Sequence, residues 1–339
     1  MSDTVTLGIG ACAVSRRSFL QKLGLGAALV AGSGVVTACG GEDAPSGPGA
    51  VTGIDAGHIP SDHYAPLYVA AAKGFFTEAG LDVQVKDFTS GASLIESFAS
   101  GQLDVGWVGP PSRTAIARGI PIQIVAGCAQ GGSGVTVRKP EIQALEDLRG
   151  RRLGVPARGT IPHLLVMKGL LDRGVNPDEV SLLEVADPTG MSLSLQNGEI
   201  DAAAYWEPWI TRMKSEGARV LATSEQLWSG HQCDVLAAST SMIGDRPEIV
   251  QRIIEAHVRG IRFIESNYDE AVQIVADRLG VAVEVERQAI AGQKYTTEIS
   301  QVRIDEEYQL LGRLGIVEPA KVPPWERLVN QELYQRALG

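Results

Sequence analysis

Gly101-Gln102-Leu103-Asp104-Val105 returns as Gly198-Glu199-Ile200-Asp201-Ala202, and each copy runs within five residues into an aromatic residue and then a proline. Upstream, Thr89-Ser90-Gly91 stands as far before Asp104 as Ala186-Asp187-Pro188 stands before Asp201. Each copy reads as a polar residue at a helix start, a glycine turn, and a strand ending in aromatics and proline. The repeat predicts two similar lobes whose equivalent strand ends face each other across a cleft, where open α/β sheets bind ligands. Chance recurrence of a common strand-opening pattern is the alternative.

The surrounding punctuation agrees with an α/β class. Strands are expected at 51–57, 81–88, 105–108 and 120–126, with helices between them, and the pattern restarts after 137 with strands at 152–155, 180–185, 202–205 and 218–222. Such alternation implies mostly parallel sheets covered on both faces. From 248 onward apolar residues fall three and four apart in long helices, a tail expected to pack on the first lobe.

The first forty residues say where this body works. Ser15-Arg16-Arg17-Ser18-Phe19-Leu20 precedes a short apolar stretch, and Val36-Thr37-Ala38-Cys39-Gly40 closes it. A charged segment, an apolar segment and a small residue before a cleavage point form a processed export signal. The paired arginines Arg16 and Arg17 resemble a twin-arginine signal, carried by chains exported after folding. The closing residues resemble a lipobox, whose cysteine, here Cys39, is lipidated. The stretch 23–36 is short against the ~20 residues that span a bilayer. The expected organisation is therefore a twin-arginine lipoprotein signal peptide at 1–38, a flexible tether at 39–53, a first lobe from 54–135 and 236–339, and a second lobe from 136–235.

Composition narrows the partners. The chain carries 40 acidic and 30 basic residues, and removing Asp3, Arg16, Arg17 and Lys22 leaves 39 against 27, a formal charge of −12. That balance argues against nucleic acid, which requires a basic face. Cys128 and Cys233 are the only cysteines of the mature body besides Cys39, so it is no disulfide scaffold, and buried thiols are expected over a bond.

Ligand-touching candidates lie at strand ends and helix starts, where unpaired amides and the helix dipole favour an anion. These are His63 and Tyr64, Ser90, the Gly109-Pro110 turn, Ser133 in a glycine-rich crossing, and Thr160 after Arg158. Ser90 and Thr160 read equally well as simple helix caps. Trp107, Tyr205 and Trp206 end strands and would wall the cleft, with core packing as the alternative. Glu207 and Asp187 would suit a ligand amine or ring N–H. The run His231-Gln232-Cys233-Asp234 lacks the spacing of a zinc site or of a separately placed catalytic base, so neither metal nor catalysis is expected from it.

The stretch from Ala65-Pro66-Leu67-Tyr68-Val69-Ala70-Ala71-Ala72-Lys73-Gly74-Phe75-Phe76 to Gly80-Leu81, with 101–107 and 201–208, resembles a family of periplasmic solute-binding proteins. Its members serve ABC transporters for nitrate, sulfonates including taurine, bicarbonate and the pyrimidine precursor of thiamine. The resemblance implies a two-lobed periplasmic-binding-protein fold of type II with the ligand cleft between the lobes. It implies a monomeric, non-enzymatic receptor without a cofactor, which hands a small polar solute to a membrane permease and its ATPase. The same residues would contact the solute: His63, Tyr64, Ser90, Gly109, Pro110, Ser133, Thr160 and Asp187, with Glu207. No lysine or arginine stands at the first-lobe junctions, so a charge-paired anion clamp does not follow. A cysteine-rich iron-binding run, found in enzymes that share this fold, is missing.

Overall fold

Asp104 and Asp201, the matched acids of the repeat, hold matched places in two different sheets. The Asp104 carboxylate accepts the Asp55 amide while the Asp104 amide bonds the Asp55 carbonyl, and Asp201 does both with Arg152. Each acid thereby fastens a strand to its parallel neighbour. Gly101 and Gly198, left-handed at φ 71° and 72°, stop the helices that precede them. The computed structural model describes residues 52–338. The export motif, Cys39 and most of the tether lie outside the described residues.

The strands in chain order are β1 (Thr52–His58), β2 (Leu81–Asp87), β3 (Val105–Val108), β4 (Ile122–Gly131), β5 (Ser133–Val137), β6 (Arg152–Val155), β7 (Ser181–Glu184), β8 (Ala202–Trp206), β9 (Arg219–Thr223), β10 (Asp234–Ser239) and β11 (Gln293–Tyr295). They form a six-stranded sheet, β11-β4-β10-β3-β1-β2, and a five-stranded sheet, β7-β6-β8-β5-β9.

Both sheets are mixed, where the alternation predicts mostly parallel ones. The pairs β1/β2, β1/β3, β6/β7 and β6/β8 are parallel, as βαβ units require. The crossing strands differ. β4 runs through Gly131 and Gly132, both at positive φ, directly into β5, which lies antiparallel to β8 and β9. On the return, β10 lies antiparallel to β3 and β4. The crossings therefore fall at 131–133 and 228–233. Ser133, Gly134 and Val135 stand in the second sheet, and Asp234 and Val235 in the first, on the opposite sides of the expected boundaries.

The tail also departs from expectation. Helix Pro247–Ser266 presents Ile249, Val250, Ile253, Ile254 and Ile261 along one buried face and packs on helix Ala65–Ala72 of the first lobe. Gly260 lets the two backbones meet: a Cβ there would sit 2.3 Å from the Pro66 carbonyl oxygen. The later helices reach across to the second lobe. Helix Val283–Ile290 packs on helix Trp209–Ser215, and helix Gln301–Arg313 packs on helix Ile161–Asp172. Trp228 Nε1 donates to Glu306 at 2.9 Å, and Tyr308 donates to the Arg113 carbonyl at 2.8 Å. Arg113 and Glu307, both fully buried, pair at 2.7 Å, and Arg113 also donates to the carbonyls of Gln232 and Cys233. The tail is a strap over both lobes, since neither lobe alone covers its apolar face.

Candidate functional site

The ends of β1, β3, β5 and β8 converge with the start of helix Ile161–Asp172 and the return crossing around one cavity of about 50 Å³. Ile59, Ser61, His63 and Tyr64 follow β1, while Val108 to Pro111 follow β3. Ser133 opens β5 and Trp206 closes β8, and Thr160, Ile161 and Pro162 form the helix start. Cys233 and Asp234 make the floor. This volume holds a handful of waters at ~10–15 Å³ each, so the cavity in this conformation has room only for something compact. Two wider recesses continue the groove, one sharing Ile59 and Trp206 with the cavity and the other sharing Pro111 and Thr160.

The cavity has two chemical poles. At the floor, Tyr64 donates its hydroxyl to Asp234 Oδ1 at 2.7 Å and the Cys233 thiol donates to Oδ2 at 3.0 Å. Burial, and then the Asp234 charge, push both donors far above their ordinary pKa, so both stay protonated. None of the lining residues is a lysine or arginine; His63 Nδ1 lies 4.0 Å from Oδ2, and Arg113 behind the floor is already paired with Glu307. On the wall, Ser133 Oγ and Trp206 Nε1 are buried without a protein partner. Beside them the Ile161 and His163 amides at the start of helix Ile161–Asp172 have no carbonyl within their own helix to bond, Pro162 between them having no N–H. One pole accepts hydrogen bonds and the other donates them. Leaving such donors empty costs ~1–3 kcal/mol each, which a ligand acceptor would recover.

Seven sequence candidates meet here: His63, Tyr64, Gly109, Pro110, Ser133, Thr160 and Trp206. The others stand elsewhere. Ser90 caps helix Gly91–Ala99 through the Ser93 amide and lines an outer recess. Asp187 caps helix Pro188–Gln196 and lines the other recess with Tyr205, whose hydroxyl bonds the Ala186 carbonyl. Tyr205 backs Trp206, ring centroids 4.5 Å apart. Trp107 belongs to the core instead of the cleft wall: it is fully buried, packs edge-on to Phe76 and donates to His257 Nδ1 at 3.2 Å. Its strand is central and covered on both faces, so a residue at the strand's end is still interior.

Glu207 does not line the cavity either. Its two oxygens accept the Thr211 amide and hydroxyl at 2.8 and 2.9 Å, which holds the start of helix Trp209–Ser215. Behind it lie Asp62 and Glu286, both fully buried. Burial first, then mutual repulsion, raises the pKa of Asp62 and takes that of Glu286 to about 8, while burial raises that of Glu207.

Sequence reasoning missed Asp234 as the facing carboxylate, because its partners Tyr64 and His63 lie 170 residues away or more. The available signal was its place as the first residue of a strand, after a cysteine and before an apolar run. Cys128 and Cys233 are both buried free thiols. Among the described residues no helix is long and apolar enough to cross a membrane.

The sequence matches the model of the NMT1-like family over residues 47–280. A Brucella abortus protein named as a binding protein, with no solute stated, is 28% identical over 68% of this chain and 72% of its own length. The taurine-binding periplasmic protein of Escherichia coli is 30% identical over 57% of this chain and 61% of its own. Among solved structures, the ligand-binding component of an ABC-type import system from Staphylococcus aureus, with zinc bound, superposes at a TM-score of 0.75. It is 18% identical and covers 84% of this chain and 99% of that one, a likeness of fold.

Proposed function

The chain belongs to the NMT1-like family, and on that premise we propose that it is the extracytoplasmic solute receptor of an ABC importer for a small zwitterionic organic solute of the aminosulfonate class. The observation that carries the solute class is the bipolar cavity: an Asp234 carboxylate with no lysine or arginine in the cavity lining, opposite the unpartnered Trp206 Nε1 and Ser133 Oγ. A solute ammonium would pair with Asp234, and its sulfonate would take the indole, the hydroxyl and the amides of helix Ile161–Asp172. Nitrate or bicarbonate would leave the carboxylate facing an anion. The taurine-binding relative supports the same class. Trp206, backed by Tyr205, favours as second reading a flat heterocycle with ring N–H groups, such as a pyrimidine precursor.

In this reading Arg16 and Arg17 direct export of the folded chain, Cys39 carries the lipid, and 39–53 tether the receptor to the membrane. Closure of the lobes about 131–133 and 228–233 then presents an occupied receptor to the permease and its ATPase. No catalytic residue is assigned.

The test is calorimetric titration of the ligand-stripped chain with taurine, ethanesulfonate, nitrate, bicarbonate and an aminopyrimidine. Taurine should bind well below millimolar, ethanesulfonate far more weakly, and Asp234→Asn should abolish the difference. Losing one partner of a buried charge pair costs ~2–5 kcal/mol, at least tenfold in affinity. Tight nitrate or bicarbonate binding without taurine binding would sink the proposal, and preference for the aminopyrimidine would select the second reading.

A further inference from the structure

We propose that the floor of the cavity is also a site for a thiophilic divalent ion of the Zn²⁺ class, held by His63 Nδ1, Cys233 Sγ and Asp234 Oδ2, with a fourth position open to the cavity. The run 231–234 alone does not predict a metal; the fold adds His63 from the opposite end of the chain. These three buried donors lie within 4.8 Å of one another. Sγ is 3.0 Å from Oδ2, and Nδ1 is 4.0 Å from it. Tetrahedral coordination with bonds of ~2.0–2.3 Å places donors about 3.3–3.8 Å apart, so donor separations of at most 4.8 Å need shifts of up to about an ångström to complete the geometry.

Each donor is already aimed. His63 Nε2 lies 3.1 Å from the Gly131 carbonyl, which can only accept, so Nε2 carries the proton and Nδ1 the lone pair. Ser61 Oγ now bonds Nδ1 at 2.8 Å but has the Glu207 carbonyl at 3.3 Å as another acceptor, so it can release the nitrogen. The Tyr64 hydroxyl holds Asp234 Oδ1 and leaves Oδ2 turned toward Cys233. The Cys233 thiol would give its proton to solvent as the sulfur–metal bond forms, which balances the charge.

A dication meeting one carboxylate and one thiolate is neutral as a set. It lies close to Arg113, which is itself paired with Glu307. Ser133 Oγ, 5% exposed and unpartnered, lines the same cavity and can bond the ion's remaining ligand, a water or a solute oxygen. The sulfur, nitrogen and oxygen donor set selects Zn²⁺ or Co²⁺ over Mg²⁺ or Ca²⁺. This site goes beyond the solute reading and does not require it, and an ion bound here takes up the Asp234 charge that a solute ammonium would otherwise pair with.

The test uses the full chain with Cys12, Cys39 and Cys128 replaced by serine, which leaves Cys233 as the sole thiol. After chelator treatment, titration with Co²⁺ should give thiolate-to-metal charge-transfer absorption saturating at one ion per chain. Zn²⁺ should displace it, and excess Mg²⁺ should not. Adding Cys233→Ser should abolish the band, and His63→Asn should weaken the metal by ~10–100-fold or more. Circular dichroism reports whether each variant is folded. A folded chain without the band at millimolar Co²⁺, or a band that survives Cys233→Ser, overturns the site. Taurine binding without the band would retire the metal and leave the solute reading standing; the band without taurine binding would do the reverse.

Discussion

Glu286→Gln should make the protein more stable at pH 8 and change it little at pH 5. The side chain is fully buried on helix Val283–Ile290, both its oxygens lack partners, and Glu207 and Asp62 face it across the lobes. An unfolded glutamate loses its proton near pH 4.3; in the folded chain burial and the Glu207 charge hold it to about 8. Between those values the folded chain binds the extra proton. Its stability is therefore whole below the lower pH, falls as pH rises, and levels off above the higher one. Each pH unit in the window is worth ~1.4 kcal/mol, which sets a ceiling of ~5 kcal/mol. Buried sites behave as if their dielectric were nearer 20 than 4, and about half the ceiling, ~2–3 kcal/mol, is the expected gain at pH 8.

Urea unfolding followed by tryptophan fluorescence at pH 5, 6, 7 and 8 measures the difference between the two proteins. Burial pushes His163, His231 and His257 down to about 4, and their neutral forms lower stability below pH 6.5. That contribution is common to both proteins and cancels in the difference. An offset that does not change with pH, or wild-type protein that gains stability from pH 6.5 to 8, would refute the reasoning.

Glu307→Ala leaves Arg113 buried without its counter-charge and should cost ~3–5 kcal/mol in urea unfolding, well beyond an exposed ion pair such as Lys321–Glu318. Gly260→Ala forces a methyl into the Pro66 carbonyl and should cost ~1–3 kcal/mol or more, read as a lowered melting temperature. Replacing Arg16 and Arg17 by lysine should retain the folded chain in the cytoplasm, and Cys39→Ala should abolish metabolic lipid labelling; export by the general pathway without the arginines would contradict the proposed route.

The fold was legible because its cues are local. Gly101 and Gly198 end helices at positive φ, and Asp104 and Asp201 each clamp the next strand, so a pattern of five residues carries a structural reason for recurring. The strand directions at the crossings were not legible, because β5 and β10 look like any other apolar run and only the sheet they join decides how they point. The same holds for the site. Turn residues such as Gly109, Ser133 and Thr160 announce themselves by type. Trp107 and Trp206 both end strands, yet one lies in a covered central strand and the other on the cleft. Asp234 was hidden by distance: its surroundings come from β1's turn, far earlier in the chain. Helix Gln301–Arg313 carries Glu307 inward beside the half-buried Glu306 and the buried Tyr308, and its partner Arg113 lies too far away in the chain to be inferred from sequence.

The position of β10 between β4 and β3 fixes the order in which a growing chain can finish its parts. On the ribosome the second sheet has all its strands once residue 223 has emerged, while β1 to β4 still lack the strand that belongs between two of them. Until then β3 and β4 hold open edges and apolar faces, the surfaces that chaperones bind and that aggregate when crowded. A chain released early would carry one complete sheet and one incomplete one, neither covered by the tail. On the proposed twin-arginine route, which carries folded chains, the C-terminal helices that bind the two lobes together would then be the last mark of a completed molecule, and translocation would have to wait for them.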